Sequence, residues 1–477
     1  MFGRHRQFLI FIAGVIVATG LLLALLLPSL ISALPSQMRG RLPEEVIRAV
    51  TTPLPTALPA PIQASAATPI PVAQLLSGTA TLEPTAVPME LPSTPTREST
   101  LSATASPPAT VAIEETVVVT ATATPLPTAS PSPSPSPTIT NTPRVTATPS
   151  PIPLPEDVHI SGLTIVPQKF NNCGSANLSV VLDYYGTPDT QIDIAGVIKP
   201  HYDDRNVTPE ELVAYVNEKT ELQAAVYRGG DIDLLRRILQ AGFPVIIEKG
   251  YEPDAWQGWM GHYLTLIGYD NREETFTSLD TYLGPWDSSG RPASYDELAF
   301  RWAQFNNTFL VVYHPFDEAQ IAGLLGPGYL QPEQMWQNAA AAAEKAAADQ
   351  PDDAFAWFNL GASLAELAKL NDDAALYSAA ATAFDQSRIV GLPPRMMWYQ
   401  FQPYEAYIHS DRIDEALALA AAVMQSDGGW HVEESHYYQG LAYLASGNTD
   451  LARSAFKRAL DIKPGYREAQ AELDGLS

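Results

Sequence analysis

The chain has 477 residues, enough for two or three domains, and its 42 prolines and 17% charged residues exclude one uniform globule. Its formal net charge of −25 argues against nucleic acid or anionic lipid as a main partner, because both select Lys/Arg surfaces. One cysteine, Cys173, excludes an intrachain disulfide and a cysteine-built metal site.

Arg4, His5 and Arg6 precede an uncharged run from Phe8 to Leu34, and Phe8 to Leu27 is almost wholly apolar. That run is long enough to cross a hydrocarbon core of about 30 Å as a helix. Residues 1–34 therefore read as a cytoplasmic basic start and a membrane anchor, with everything after them outside the cytoplasm. The competing reading is a cleaved signal peptide, whose apolar core is shorter, about 7–15 residues. Arg39 and Arg41, just beyond the helix, pull weakly against this orientation.

Residues 35–155 read as a disordered spacer. From Thr51 to Pro155 the chain is built of Pro, Thr, Ser, Ala and Val, has no Phe, Trp or Tyr, and includes repeats such as Ser130 to Pro137. Without aromatic or periodic apolar residues such a stretch buries no core, and proline stiffens it toward polyproline II.

From Glu156 to Phe316 the composition turns globular, with enough residues for a real core. A helix is predicted over Asn177 to Tyr185, another from Thr208 as N-cap with Pro209 in its first turn, and a third over Ile232 to Gln240 behind Asp231. Phe243 to Glu248, His262 to Tyr269, Thr275 to Asp280 and Thr308 to Tyr313 have the β-branched and aromatic character of strands. Helix first and an antiparallel-looking sheet later is an α+β plan. Residues 317–331 read as a linker.

From Pro332 to Ser477 the chain is helical and alanine-rich, and it repeats. Ala380, Ala416 and Ala452 hold the same place in successive units 36 residues apart, and Gly440, Tyr443, Gly447, Ala452, Phe456, Ala459 and Pro464 follow a small/aromatic order. This order resembles the tetratricopeptide family, whose period is about 34 residues. Trp357, Leu360 and Gly361 open one unit, while a second has Tyr404 where the glycine would stand. The resemblance implies an all-α solenoid with a concave surface for a protein or peptide partner; a generic helical bundle is the alternative.

One set of residues in the globular stretch points to chemistry. A thiol at a helix start is biased toward thiolate, and Cys173 sits where a loop turns into a helix, directly before Gly174. A lone cysteine is otherwise a small buried core residue. An acyl-transferring thiol also needs an imidazole, a group to orient it and donors for an oxyanion. His262 opens a predicted strand, and Asp280 ends the next one, placed to accept the His262 Nδ1–H if the strands are neighbours. Gln168 offers a side-chain N–H₂ beside the cysteine turn. His201, Asp203 and Asp204 read as a polar loop ahead of the Thr208 helix rather than a metal cluster. Trp256, Trp259 and Trp286 flank the proposed histidine and aspartate, to line a cleft or to pack.

Gln168, then Asn172-Cys173-Gly174, then Gly261-His262-Tyr263 with an apolar run to Gly268-Tyr269-Asp270, then Leu279-Asp280, resemble the C39-type and C39-like papain-fold cysteine peptidases over Ile165 to His314. The resemblance implies Cys173 as nucleophile, His262 as base, Asp280 as orienting group and Gln168 as part of the oxyanion hole. Thr281 stands where proline is common in that family. The whole chain thus reads as a membrane-anchored extracytoplasmic cysteine peptidase that cleaves a peptide or amide bond through a Cys173 thioester, with no cofactor or metal. Two alternatives stay open: a scaffold protein in which the repeats do the work and the peptidase fold is inert, and a thioester-based acyl or peptidyl transferase.

Overall fold

The computed structural model describes residues 57–62, 71, 72, 74, 154–201, 204–253 and 257–476. The apolar run Phe8 to Leu27, the anchor expected from it and nearly all of the expected spacer lie outside these residues. Among the described residues no helix is long and apolar enough to cross a membrane.

Residues 157–313 form an α+β domain around one antiparallel sheet. Its strands are β1 (Asp157–His159), β2 (Gln223–Tyr227), β3 (Val245–Tyr251), β4 (Met260–Asp270), β5 (Thr275–Leu279), β6 (Arg291–Ser294) and β7 (Phe309–Tyr313), in the order β2-β7-β3-β4-β5-β6 with β1 paired to the end of β4. Register puts Lys249 opposite His262 and Leu279 opposite Thr265, so β4 and β5 are neighbours.

Helices cover both faces of the sheet, and the period-2 alternation of β3 and β7 divides the core accordingly. Ile246, Leu310 and Val312 pack with Leu178, Ile194 and Leu212 from α1 (Cys173–Tyr184), α2 (Gln191–Ile198) and α3 (Pro209–Lys219). Val245, Ile247, Phe309 and Val311 pack on the other face with Leu234, Ile238 and Trp302 from α4 (Ile232–Gln240) and α5 (Tyr295–Ala303). Both predicted caps are present. The Thr208 side chain accepts from Glu211 N–H while Glu211 bonds the Thr208 N–H, and Asp231 accepts from Leu234 N–H.

The stretch expected as a linker is helical instead. It forms α6 (Glu318–Leu325) and the short α7 (Pro327–Leu330), and Ile321 and Leu325 are buried in the sheet domain's core. Their i, i+4 spacing puts both on one helix face, which local composition alone did not separate from a loop.

After α8 (Pro332–Asp349) come three helix pairs: α9 (Ala354–Asn371) with α10 (Ala374–Val390), α11 (Gln402–His409) with α12 (Ile413–Gln425), and α13 (Glu433–Ala445) with α14 (Thr449–Ile462), then α15 (Arg467–Gly475). Ala380, Ala416 and Ala452 are all buried on the second helix of their pairs. Gly361 and Gly440 admit the rings of Phe384 and Phe456 so closely that a Cβ would lie 2.7 Å and 2.4 Å from them. Tyr404, in the degenerate pair, is buried and reaches Ser435 at 3.3 Å.

The helical region packs directly on the sheet domain. Asn306 donates to Ser363 Oγ at 2.9 Å, and Asn359 donates to the Ala303 carbonyl at 2.6 Å. Trp259 stacks on Phe305, lies beside Phe355 and Tyr399, and donates to Gln304 Oε1 at 2.7 Å, so this tryptophan is packing rather than cleft lining. Trp286 is half exposed, and Trp256 lies outside the described residues.

Candidate active site

α1 begins at Cys173 because the loop before it is pinned. Asn171 takes a left-handed conformation (φ 51°), and Gln191 at the start of α2 staples the loop at both ends. Gln191 Oε1 accepts from Lys169 N–H at 2.8 Å and from Asn172 Nδ2 at 3.1 Å, and Gln191 Nε2 donates to the Pro167 carbonyl at 2.9 Å. The thiol therefore sits at a fixed helix N-terminus, half-buried, with no side chain capping the first turn.

His262, near the start of β4, is buried, bonded to Asp280 and within electrostatic reach of Cys173. The nitrogen facing Asp280 is Nε2, 3.1 Å from Oδ1, not the Nδ1 expected from the sequence. Nδ1 is then the ring nitrogen left for the thiol. The difference follows from the ring's attachment: Nδ1 lies close to the backbone and Nε2 at the far end of the ring. Tyr251 and Tyr282 lie against the imidazole at ring distances of 5.3 and 6.3 Å and shelter it.

Asp280 directly follows β5 and is both a turn residue and the histidine's partner. Its Oδ1 accepts the backbone N–H groups of Tyr282 at 2.9 Å and Leu283 at 3.0 Å while facing His262. Gln168 does not touch this line directly. Its N–H donates to the Thr281 carbonyl at 2.8 Å, and its Oε1 accepts from Thr281 Oγ1 at 2.9 Å. With its oxygen held by Thr281, the amide keeps its N–H₂ as a donor.

The charges support one another. Burial pushes the Cys173 thiol up, but the hydrogen bond and charge of His262 and the backbones of Tyr263 and Gly174 outweigh it and hold the thiol below its ordinary value. Burial pulls His262 down, yet the charge and hydrogen bond of Asp280, joined by Cys173, raise it to about 9. Burial pushes Asp280 up, and His262 with the Leu283 and Tyr282 N–H groups overrides this to bring it to about 2. Together these favour thiolate, imidazolium and carboxylate side by side. Glu248 on β3 is buried too, and burial, only partly offset by Arg228, holds its carboxyl well above the usual range.

Two residues that sequence reasoning missed bind the site together. Asn177, one turn into α1, donates from Nδ2 to the carbonyls of Cys173 and Tyr263, both at 2.9 Å, and to Thr281 Oγ1 at 3.2 Å, and accepts from Thr265 Oγ1 at 2.8 Å. Thr281 in turn connects Asn177 to Gln168. A buried polar residue at an otherwise apolar helix position was the one sequence signal for Asn177. His201 and Asp204 lie in the loop before α3, Asp203 lies outside the described residues, and among the described residues no His/Cys/Asp/Glu group could hold a metal ion.

Residues 160–310 match the model of the Peptidase_C39 like family, so this part of the chain is a C39-like peptidase domain. No curated protein matches the chain. Among solved structures, a C39-like peptidase from Bacillus anthracis is 18% identical, covering 33% of this chain and 98% of its own, with a TM-score of 0.27. A double glycine motif protease from an AMS/PCAT transporter, solved in complex with the leader peptide, is 17% identical over 33% of this chain and 94% of its own, with a TM-score of 0.25. The peptidase domain of Streptococcus ComA, a bi-functional ABC transporter involved in a quorum-sensing pathway, is 16% identical over 32% of this chain and 99% of its own, with a TM-score of 0.26.

Proposed function

We propose that this chain is a cysteine peptidase that cleaves a peptide or amide bond through a thioester on Cys173. The observation that carries the reading is His262, held by Asp280 with Nε2–Oδ1 at 3.1 Å and within electrostatic reach of the Cys173 thiol at the start of α1. The Cys173 thiolate attacks the carbonyl carbon. The oxyanion that forms is met by the Cys173 N–H at the helix start and by the Gln168 amide. His262 gives its proton to the leaving amine as the C–N bond breaks, leaving a thioester. It then takes a proton from water, whose oxygen attacks the thioester, and the sulfur departs as thiolate beside the regenerated imidazolium. Asp280 holds the ring through Nε2 and stabilises its charged form.

In this reading the substrate is a peptide, and the transporter protease named above was solved in complex with a leader peptide. The basic, apolar N-terminus anchors the chain in a membrane with its N-terminus cytoplasmic, and the peptidase domain works on the far side. The three helix pairs form a tetratricopeptide-like platform for a protein or peptide partner.

Incubation of the purified chain with a diverse peptide mixture, read by mass spectrometry, tests the activity. New termini are expected with the wild-type protein and none with Cys173→Ala. Products capped by an added amine such as glycinamide, in place of free acids, would replace hydrolysis by acyl transfer. An intact mixture would leave the fold catalytically inert and make the helical region the working part.

A further inference from the structure

Within the stretch whose composition predicts a solvated spacer, residues 57–62 are not free. Leu58 is buried at 5% exposure in the core of the helical region, and its N–H donates to the Leu392 carbonyl at 2.8 Å. The carbonyls of Pro59 and Ala60 accept from Arg388 Nε at 3.0 Å and Nη2 at 3.4 Å. The Ile62 N–H donates to Glu415 Oε2 at 2.8 Å. The segment thus makes four backbone hydrogen bonds to elements more than 300 positions away along the chain.

The receiving side is built for them. Arg388 on α10 and Glu415 on α12 form an ion pair at 2.6 Å, each side chain only 2% exposed. Tyr407 accepts from Arg388 Nη1 at 3.2 Å and donates to Asp385 at 2.9 Å, which fixes the guanidinium from below. Arg388 Nε and Nη2 point at the segment, and Glu415 Oε2, which also lies 3.8 Å from Arg412 Nη2, accepts from it. A buried charge pair is costly unless its remaining polar atoms are bonded, and here a passing backbone contributes to bonding them. The segment suits the role. Pro59 and Pro61 carry no N–H that would need a partner, proline pre-sets the extended backbone, and Leu58 supplies the buried anchor. A second contact follows at Val72, 3% exposed, whose N–H donates to Glu344 Oε1 at 2.8 Å.

We propose that the Arg388–Glu415 pair forms a peptide-binding site on the helical region whose occupant is the chain's own Leu58–Ile62 segment. The site recognises an extended, apolar, proline-containing backbone, and it fastens the N-terminal part of the chain to the helical region. It shares no residue with the Cys173 line and stands whether or not the peptidase reading does.

The test uses the full-length chain in detergent with a specific protease site inserted between Ala66 and Ala67, cut after purification. The N-terminal fragment is expected to co-elute with the remainder on size-exclusion chromatography. Co-elution is lost with Leu58→Asp, which changes the occupant and leaves the helical region's own residues intact. It is kept with Ile62→Asp, because that side chain is 63% exposed and only its backbone is used. Separation of the wild-type fragments, retention of the Leu58→Asp fragment, or equal release by both variants overturns the proposal.

Discussion

Asp280 offers one oxygen, Oδ1, to three donors at once: His262 Nε2 at 3.1 Å and the N–H groups of Tyr282 and Leu283 at 2.9 and 3.0 Å. The turn that closes β5 and the orientation of the imidazole are therefore set by the same atom. The carboxylate cannot leave the histidine without giving up its own turn.

Replacing Asp280 by asparagine keeps a polar group in that turn and removes the charge. The carboxylate is what lifts His262, so its loss brings the imidazolium's pKa down from about 9. The expected outcome is a roughly 10- to 100-fold fall in kcat and a basic limb of the pH–rate profile displaced to lower pH. A profile with an unmoved basic limb would remove Asp280 from the orienting role.

Gln168 and Thr281 separate acyl chemistry from thiol reactivity. Gln168→Ala should cost roughly 10²-fold in kcat, as loss of one oxyanion donor does. Thr281→Val removes the hydroxyl that holds Gln168 Oε1 and accepts from Asn177, and should cost about tenfold. Neither change should alter the alkylation rate of Cys173, because alkylation builds no oxyanion. Equal losses in both assays would point to a general disturbance of the loop.

The same groups tie stability to pH. Asp280, brought to about 2 in the folded chain, stabilises it above the ordinary carboxylate value of about 3.9, and that contribution is lost as pH falls through 2. His262, raised to about 9, contributes fully below about 6.5 and loses its contribution as pH rises through 9. Each effect is roughly 2–3 kcal/mol, and the two are not additive because the groups interact. Urea denaturation of wild type and Asp280→Ala should give curves that converge on the acid side. Parallel curves from pH 2 to 6 would contradict the assignment.

Gly440 tests the packing of the last helix pair. A Cβ there would lie 2.4 Å from the Phe456 ring, so Gly440→Ala should destabilise the chain by about 1–3 kcal/mol in spite of alanine's better helix propensity. A rise in the thermal midpoint would show that the ring can move aside.

Local signals were legible in the sequence and non-local ones were not. Thr208 and Asp231 announce their helices because a cap acts within three residues. β4 and β5 stand out as apolar runs bounded by turn residues. β6 (Arg291–Ser294) contains Pro292, and β2 (Gln223–Tyr227) is short with two alanines in its five residues, so neither carries a strand pattern. The four candidate site residues were readable as an ordered set. Their connection was not, because Asn177 and Thr281 meet across 104 positions and Thr281 and Gln168 across 113. The identity of the facing imidazole nitrogen depends on how the ring hangs from β4, which sequence does not encode locally. Composition likewise marked residues 57–62 as spacer, since nothing within the segment reveals the buried Arg388 that receives it.

The central claim is that Cys173 and His262 stand as a thiolate–imidazolium pair. Because Cys173 is the only cysteine in the chain, alkylation by iodoacetamide reports on this thiol alone. The direct measurement is its alkylation rate against pH in wild type and His262→Ala. Expected are a wild-type rate that rises at lower pH than the ordinary thiol value, with a second change near pH 9 as His262 loses its proton, and a variant whose rate climbs only at or above that ordinary value of about 8.5. A wild-type curve that climbs only near that ordinary value, and is superimposable on the variant's, would contradict it.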